Sequence, residues 1–147
     1  MKHIPLVSLR IVRDGSVPYG AASVQSSKAI FDLFRQLAED LDREAVWLAC
    51  LDTKNRLACL SQISLGSLSA SIVHPREVIK LALLSNAAGM ILVHNHPSGD
   101  PTPSAEDRAV TARIGEAAKL MGIRFLDHLI VGDGRFYSFC DQGELAA

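Results

Sequence analysis

Residues 89–122 constrain this chain more than any other stretch, because they spell out a strand, a stiff loop and a long helix in direct succession. Residues 90–93 form a short apolar run suited to a buried strand. That run leads straight into His94-Asn95-His96-Pro97, and a loop rich in Gly and Pro follows. Ser104 then caps a helix that extends to Met121, where Gly122 ends it. Strands and helices alternate in the rest of the chain too. Residues 4–12 alternate loosely and read as an opening strand, followed by a loop to about residue 25 through Pro18 and Gly20. Ser26 or Ser27 starts a helix that carries Ile30, Phe31, Leu33, Phe34, Leu37 and Leu41 at helical spacing. Residues 45–51 and 56–64 read as a hairpin turning over 52–55, and residues 70–73 as a further strand. Pro75 opens a helix through residue 87, with Val78, Ile79, Ala82 and Leu83 turned inward. Strands over 123–131 and 135–139, joined by Gly132-Asp133-Gly134, close the chain. The expected fold class is α/β: a single layered domain with a mixed β-sheet flanked by helices. Residues 1–25 contribute its N-terminal strand and loop, and residues 26–147 the main body.

A chain of 147 residues is long enough to bury one core. No apolar stretch approaches the ~20 residues of a membrane-spanning helix, and Met1-Lys2-His3-Ile4-Pro5 lacks the apolar core of a signal peptide. A cytoplasmic location with no membrane partner is the default expectation. The net charge of −1 excludes a globally basic surface, so direct nucleic-acid binding is not expected of this domain alone. Cys50, Cys59 and Cys140 form no CxxC pair; they read as reduced core thiols rather than as a disulfide framework, a nucleophile or ligands.

The chemistry gathers between residues 94 and 107. His94 and His96, two apart at a strand end, point to the same side of the backbone, so both imidazoles can reach one ion. The turn-rich loop can bring the first turn of the next helix, with Asp107, back over the strand end. Two imidazoles and a carboxylate make a three-ligand site, which leaves a fourth position open on a catalytic zinc. Ser104 and Asp107 also have the spacing of a capping box, which is compatible with ligation because a cap can hold a ligand in place. Asn95 points to the opposite side of the strand. His74 is expected to serve the helix start at Pro75. The contiguous letters of His94-Asn95-His96 carry no meaning as an HNH nuclease motif, whose residues are spread over a hairpin and a helix.

His94-x-His96-Pro97 followed by Ser104-x-x-Asp107 resembles the JAMM signature of MPN-domain (JAB) metalloproteases. The longer string His94-Asn95-His96-Pro97-Ser98-Gly99-Asp100-Pro101 resembles the RadC branch of that superfamily. So do Leu126-Asp127-His128-Leu129-Ile130-Val131-Gly132, Leu51-Asp52-Thr53-Lys54-Asn55-Arg56-Leu57 and the Pro75-Arg76-Glu77 helix start. The resemblance spans about residues 26–139. It implies an MPN/JAB-like fold and a zinc ion on His94, His96 and Asp107. It implies that Ser104 polarises a substrate carbonyl or holds the water. It also implies a general-base glutamate at the start of a strand, the position that Glu44 occupies. Glu77 competes on type alone but fits the first turn of its helix, and Glu106 is expected to face elsewhere. His128 and Asp127 are expected as hydrogen-bonded supports rather than ligands. Full-length members carry an N-terminal helix-hairpin-helix region associated with DNA, for which the segment before Ser26 is too short.

The leading expectation is therefore a zinc-dependent hydrolase acting on a peptide or isopeptide bond of a protein or peptide substrate. The alternative is a non-catalytic, zinc-containing accessory module in DNA repair, recombination or mobile-element biology. Metal-dependent nucleic-acid cleavage is disfavoured by the near-neutral charge and the lack of a basic, aromatic groove pattern. Substrate identity and oligomeric state are not legible in the sequence.

Overall fold

The computed structural model describes residues 1–20, 23–38, 41–65 and 73–145. Among them lie, in order, α1 (Ser27–Ala38), β1 (Ala45–Leu51), β2 (Leu57–Leu65), α2 (Pro75–Leu84), β3 (Gly89–Asn95), α3 (Ala105–Met121), β4 (Arg124–Val131) and β5 (Phe136–Ser138). The strands form one mixed sheet in the order β2-β1-β3-β4-β5. β1 runs antiparallel to both β2 and β3. β3 and β4 are parallel, and β5 returns antiparallel to β4. The parallel pair is possible because α3 carries the chain back between the two strands. The layered α/β fold expected from the sequence is the fold observed.

Alternate residues of a strand go to opposite faces, and here both faces are covered. Val46, Leu48 and Cys50 of β1 with Met90 and Leu92 of β3 meet α2 and α3 through Val78, Ile79, Ala82, Val110, Ile114 and Ala118. The intervening Ala49, Leu51, Ile91 and Val93 meet Ile30, Phe31, Leu33 and Phe34 of α1. All seven residues of β3 are buried, which is why the strand reads as a continuous apolar run rather than an alternation. Each large aliphatic or aromatic side chain buried in this way is worth roughly 1.5–3 kcal/mol. The same alternation aims His94 at α3, because 90, 92 and 94 share one face. Ligands in such sheets bind beyond the carboxyl ends of parallel strands, and here that is where β3 ends in His94 and Asn95.

Four expectations need correction, and a fifth falls largely outside the described residues. Residues 1–20 contain neither strand nor helix, and Ile4, Leu6, Val7 and Leu9 are largely exposed. A loose alternation makes a strand only when a neighbouring strand takes its backbone groups, and no sheet edge pairs with this segment. α2 stops at Leu84 rather than at residue 87, with Asn86 in the left-handed region at φ 53°. Leu83 is half exposed, bordering a groove with Ile79, Ala117 and Met121 instead of entering the core. Of the three free cysteines only Cys50 is buried; Cys59 is half-buried opposite it on β2 and Cys140 is exposed. The strand expected over 70–73 falls on 70–72, outside the described residues, and on Val73, which is buried but not in a strand. No helix among the described residues is long and apolar enough to cross a membrane.

Candidate metal centre

Three elements converge at the carboxyl end of β3. His94 ends the buried run of the strand. The loop after it returns at once: the His96 N–H donates to the Val131 carbonyl at 2.8 Å, and the Gly99 N–H donates to the His96 carbonyl at 3.0 Å. This loop lies against the turn after β4, where the Asp133 N–H donates to the Gly99 carbonyl at 2.9 Å. A Cβ on Gly132 would stand 2.4 Å from that carbonyl oxygen, so only glycine admits this close approach. α3 then begins with a complete capping box. Ser104 Oγ accepts from the Asp107 N–H at 3.1 Å, and Asp107 Oδ2 accepts from the Ser104 N–H at 2.7 Å. The cap and the candidate ligand are one residue, as the spacing had allowed.

His94 Nε2, His96 Nε2 and the Asp107 carboxylate face one another. The two nitrogens are 3.1 Å apart, His94 Nε2 is 3.2 Å from Asp107 Oδ1, and His96 Nε2 is 3.2 Å from Asp107 Oδ2. His94 and Asp107 are buried and His96 nearly so. Ligands at zinc bond lengths in tetrahedral array stand roughly 3.3 Å apart, so the spacing fits such an ion. No further His, Cys, Asp or Glu among the described residues joins the group.

The hydrogen bonds behind the three ligands argue for a cation independently. The Thr111 hydroxyl donates to the Asp107 carbonyl at 2.6 Å, so its one proton is spent there. Its oxygen must then accept from His128 Nδ1–H. His128 is fully buried, and burial, with His94 beside it, holds its imidazole well below the usual histidine range, so it is neutral. His128 Nε2 is therefore an acceptor, and it takes His94 Nδ1–H at 2.9 Å. On the other side, His96 Nδ1 donates to the Asp100 carbonyl at 2.8 Å. Both ligating nitrogens thus turn lone pairs toward a carboxylate, a set of acceptors that only a proton or a metal ion can reconcile. Where a proton occupies the site instead of a metal, the hydrogen bond to Asp107 raises the His96 imidazole, against burial and with help from the Asp100 carbonyl. In that state burial would raise Asp107, but the bonds from His94, His96 and Ser104 outweigh it and hold its carboxyl far below the ordinary range.

The chain of bonds makes Thr111 a support that the sequence reading missed. Nothing in a lone threonine within a helix signals it, although it lies one turn after Asp107 on the same face. Thr111→Val keeps the shape and removes the acceptor for His128. Metal affinity, measured by chelator competition, is expected to fall roughly 10–100-fold, and the nitrogen NMR shifts of His94 should show a mixture of tautomers. An unchanged affinity would mean that the network does not orient the ligand.

The other expected residues are distributed as follows. Glu44, just before β1, lines a cavity of about 350 Å³ with His96, Pro97, Ser98, Ser104, Glu106 and Asp107. Glu106 was expected to face elsewhere; it stands on the rim because the first turn of α3 forms that wall. Glu77 lies away from the cavity and pairs with Lys80 at 2.7 Å. His74 Nδ1 accepts from the Arg76 N–H at 3.1 Å and caps α2. Asp127 braces β5, accepting from the Ser138 hydroxyl at 2.6 Å and from the Cys140 N–H at 3.0 Å.

Comparison with known proteins places the sequence in a family. Residues 24–144 match the family model described as the RadC-like JAB domain. A UPF0758 protein of Pelobacter propionicus is 52% identical over 120 residues, covering 82% of this chain and 52% of that protein. A UPF0758 protein of Geotalea uraniireducens is 52% identical over 118 residues, with shares of 80% and 52%. One of Methanosarcina barkeri is 48% identical over 120 residues, with shares of 82% and 52%. The chain spans about half the length of the curated relatives it matches.

Proposed function

The chain belongs to the RadC-like JAB domain family, and on that premise we propose that it is a zinc-dependent hydrolase of peptide or isopeptide bonds. The observation that carries the reading is the convergence of His94, His96 and Asp107 on one point at the wall of a cavity that Glu44 and Ser104 also line. His94, His96 and Asp107 would hold a zinc ion, which would supply Lewis acidity to polarise a carbonyl and to lower the pKa of a bound water toward ~7. Glu44 takes the proton of the attacking water and returns it to the leaving amine, so the amine departs neutral. Ser104 accepts from the Asp107 N–H through its oxygen, and its own O–H donates to the carbonyl oxygen as negative charge develops there. Asp107 remains a carboxylate throughout because its hydrogen bonds favour the charged form. His128 and Thr111 keep His94 in the one tautomer that can ligate.

A closed structural zinc takes four protein ligands. The three side chains found among the described residues, beside an open cavity, favour an open site over an accessory module with a structural metal. The test is a mixture of peptides and isopeptide-linked lysines incubated with zinc-loaded protein, with new amines identified by mass spectrometry. Zinc-dependent release supports the reading. Stoichiometric zinc with no cleavage across the mixture would overturn it in favour of the accessory module.

A further inference from the structure

Asn95 lies between the two histidines, and its side chain leaves the ligands altogether. It is buried, 5% exposed. Its Oδ1 accepts from the Ala45 N–H at 2.7 Å, and its Nδ2 donates to the Arg43 carbonyl at 3.1 Å. These two groups flank Glu44. The partners also fix the amide orientation, since an N–H needs the oxygen and a carbonyl needs the NH2. The position follows from the strand register. β1 and β3 pair from Leu51↔Gly89 to Val46↔His94, and one step further Ala45 falls opposite Asn95. There the side-chain amide of Asn95, not its backbone, completes the pairing. Residues 41–44 precede β1 without regular structure, and Arg43 has its other close contact with the adjacent Asp42. The two Asn95 bonds therefore tie the backbone on both sides of Glu44 to the end of β3, while Leu41 at the start of the segment is held by the Ala38 carbonyl at 3.2 Å.

We propose that Asn95 is the positioning residue for Glu44, a link from the metal-binding strand that sets where the Glu44 carboxylate stands. The residue between His94 and His96 thereby couples ligand and base: one strand end presents both imidazoles to one side and grips the backbone around the glutamate on the other. The inference rests on the proposed role of Glu44 beside the metal. Loss of Asn95 removes the partners of a backbone N–H and a carbonyl, so the backbone on both sides of Glu44 loosens from β3 while His94, His96 and Asp107 keep their own supports.

The test reads the place of Glu44 directly and needs no substrate. The protein is labelled with carboxyl-13C glutamate and loaded with Co2+, whose unpaired electrons shift nearby resonances steeply with distance. The Glu44 signal is assigned by its disappearance in Glu44→Gln, and Glu106 at the cavity rim serves as the internal reference. Asn95→Leu replaces the amide by an apolar group of similar size, and Asn95→Ser is the second variant should the first not fold. The expected result is retained Co2+ binding, an unmoved Glu106 signal, faster hydrogen exchange at the Ala45 amide, and loss of most of the Glu44 shift. A Glu44 shift that persists while the Ala45 amide exchanges freely would overturn the positioning role. Absence of any cobalt-induced shift at Glu44 in the native protein would instead sink the assignment of Glu44 itself, and the inference with it.

Discussion

Glu44→Gln is expected to lower zinc-dependent cleavage by roughly 10²–10⁴-fold, the usual worth of a positioned general base, while zinc stays bound. The substitution keeps the volume and removes the basic oxygen, and Glu44 is not among the three ligand side chains. The loss should therefore appear in kcat rather than in metal content. Glu106→Gln is the matched control, because Glu106 lines the same cavity but stands exposed on its rim. A variant at Glu44 that turns over normally, with Glu106→Gln inactive, would transfer the base to α3. Full activity in both would remove glutamate from the mechanism.

Zinc addition is expected to raise the thermal midpoint of the native protein by roughly 8–16 °C at a thousandfold excess over Kd, from about 4 kcal/mol of ligand stabilisation. His94→Ala should lose that response. Its zinc affinity should fall by well over the roughly 10–100-fold that a supporting residue is worth. Asp107→Asn, nearly the same shape, guards against a folding defect at the buried histidine. The response also carries a sign in pH. Asp107 raises the metal-free His96 imidazole, so below that raised value zinc must displace a proton, and affinity should drop about tenfold per pH unit. The metal-free contact itself stabilises the fold fully below the ordinary histidine value near 6.5, and is lost as pH rises through the raised value. Both effects act in one direction: the zinc-induced shift is largest in mild alkali and fades in acid. A shift independent of pH, measured by calorimetry, would contradict ligation through His96.

Much of the site was legible because its information is local. His94 and His96 share a side by the period of a strand, and Ser104 and Asp107 share a turn by the period of a helix. The sequence separation between the two pairs is short enough for one loop to close. Glu44 was singled out as the candidate base only through family resemblance, since no local pattern distinguishes it from Glu77, whose partner Lys80 is a neighbour on its own helix. Thr111 and Asn95 were not legible as supports. Their meaning lies in His128 on β4 and in the backbone at the start of β1, partners remote in the chain.

Residue order alone was enough for the alternation of strands and helices, the buried character of β3, the caps of α2 and α3, and the choice of candidate ligands. Each follows from side-chain periodicity or from hydrogen bonds spanning a few residues. That residues 4–12 remain outside the sheet emerged from packing, because a strand exists only where another strand accepts its backbone groups. Packing alone decided that Glu106 reaches the cavity rim, because that depends on the angle at which α3 meets the end of β3. It alone decided the tautomer of His94, because a buried imidazole takes its proton order from whatever chain of donors and acceptors the packed fold places behind it.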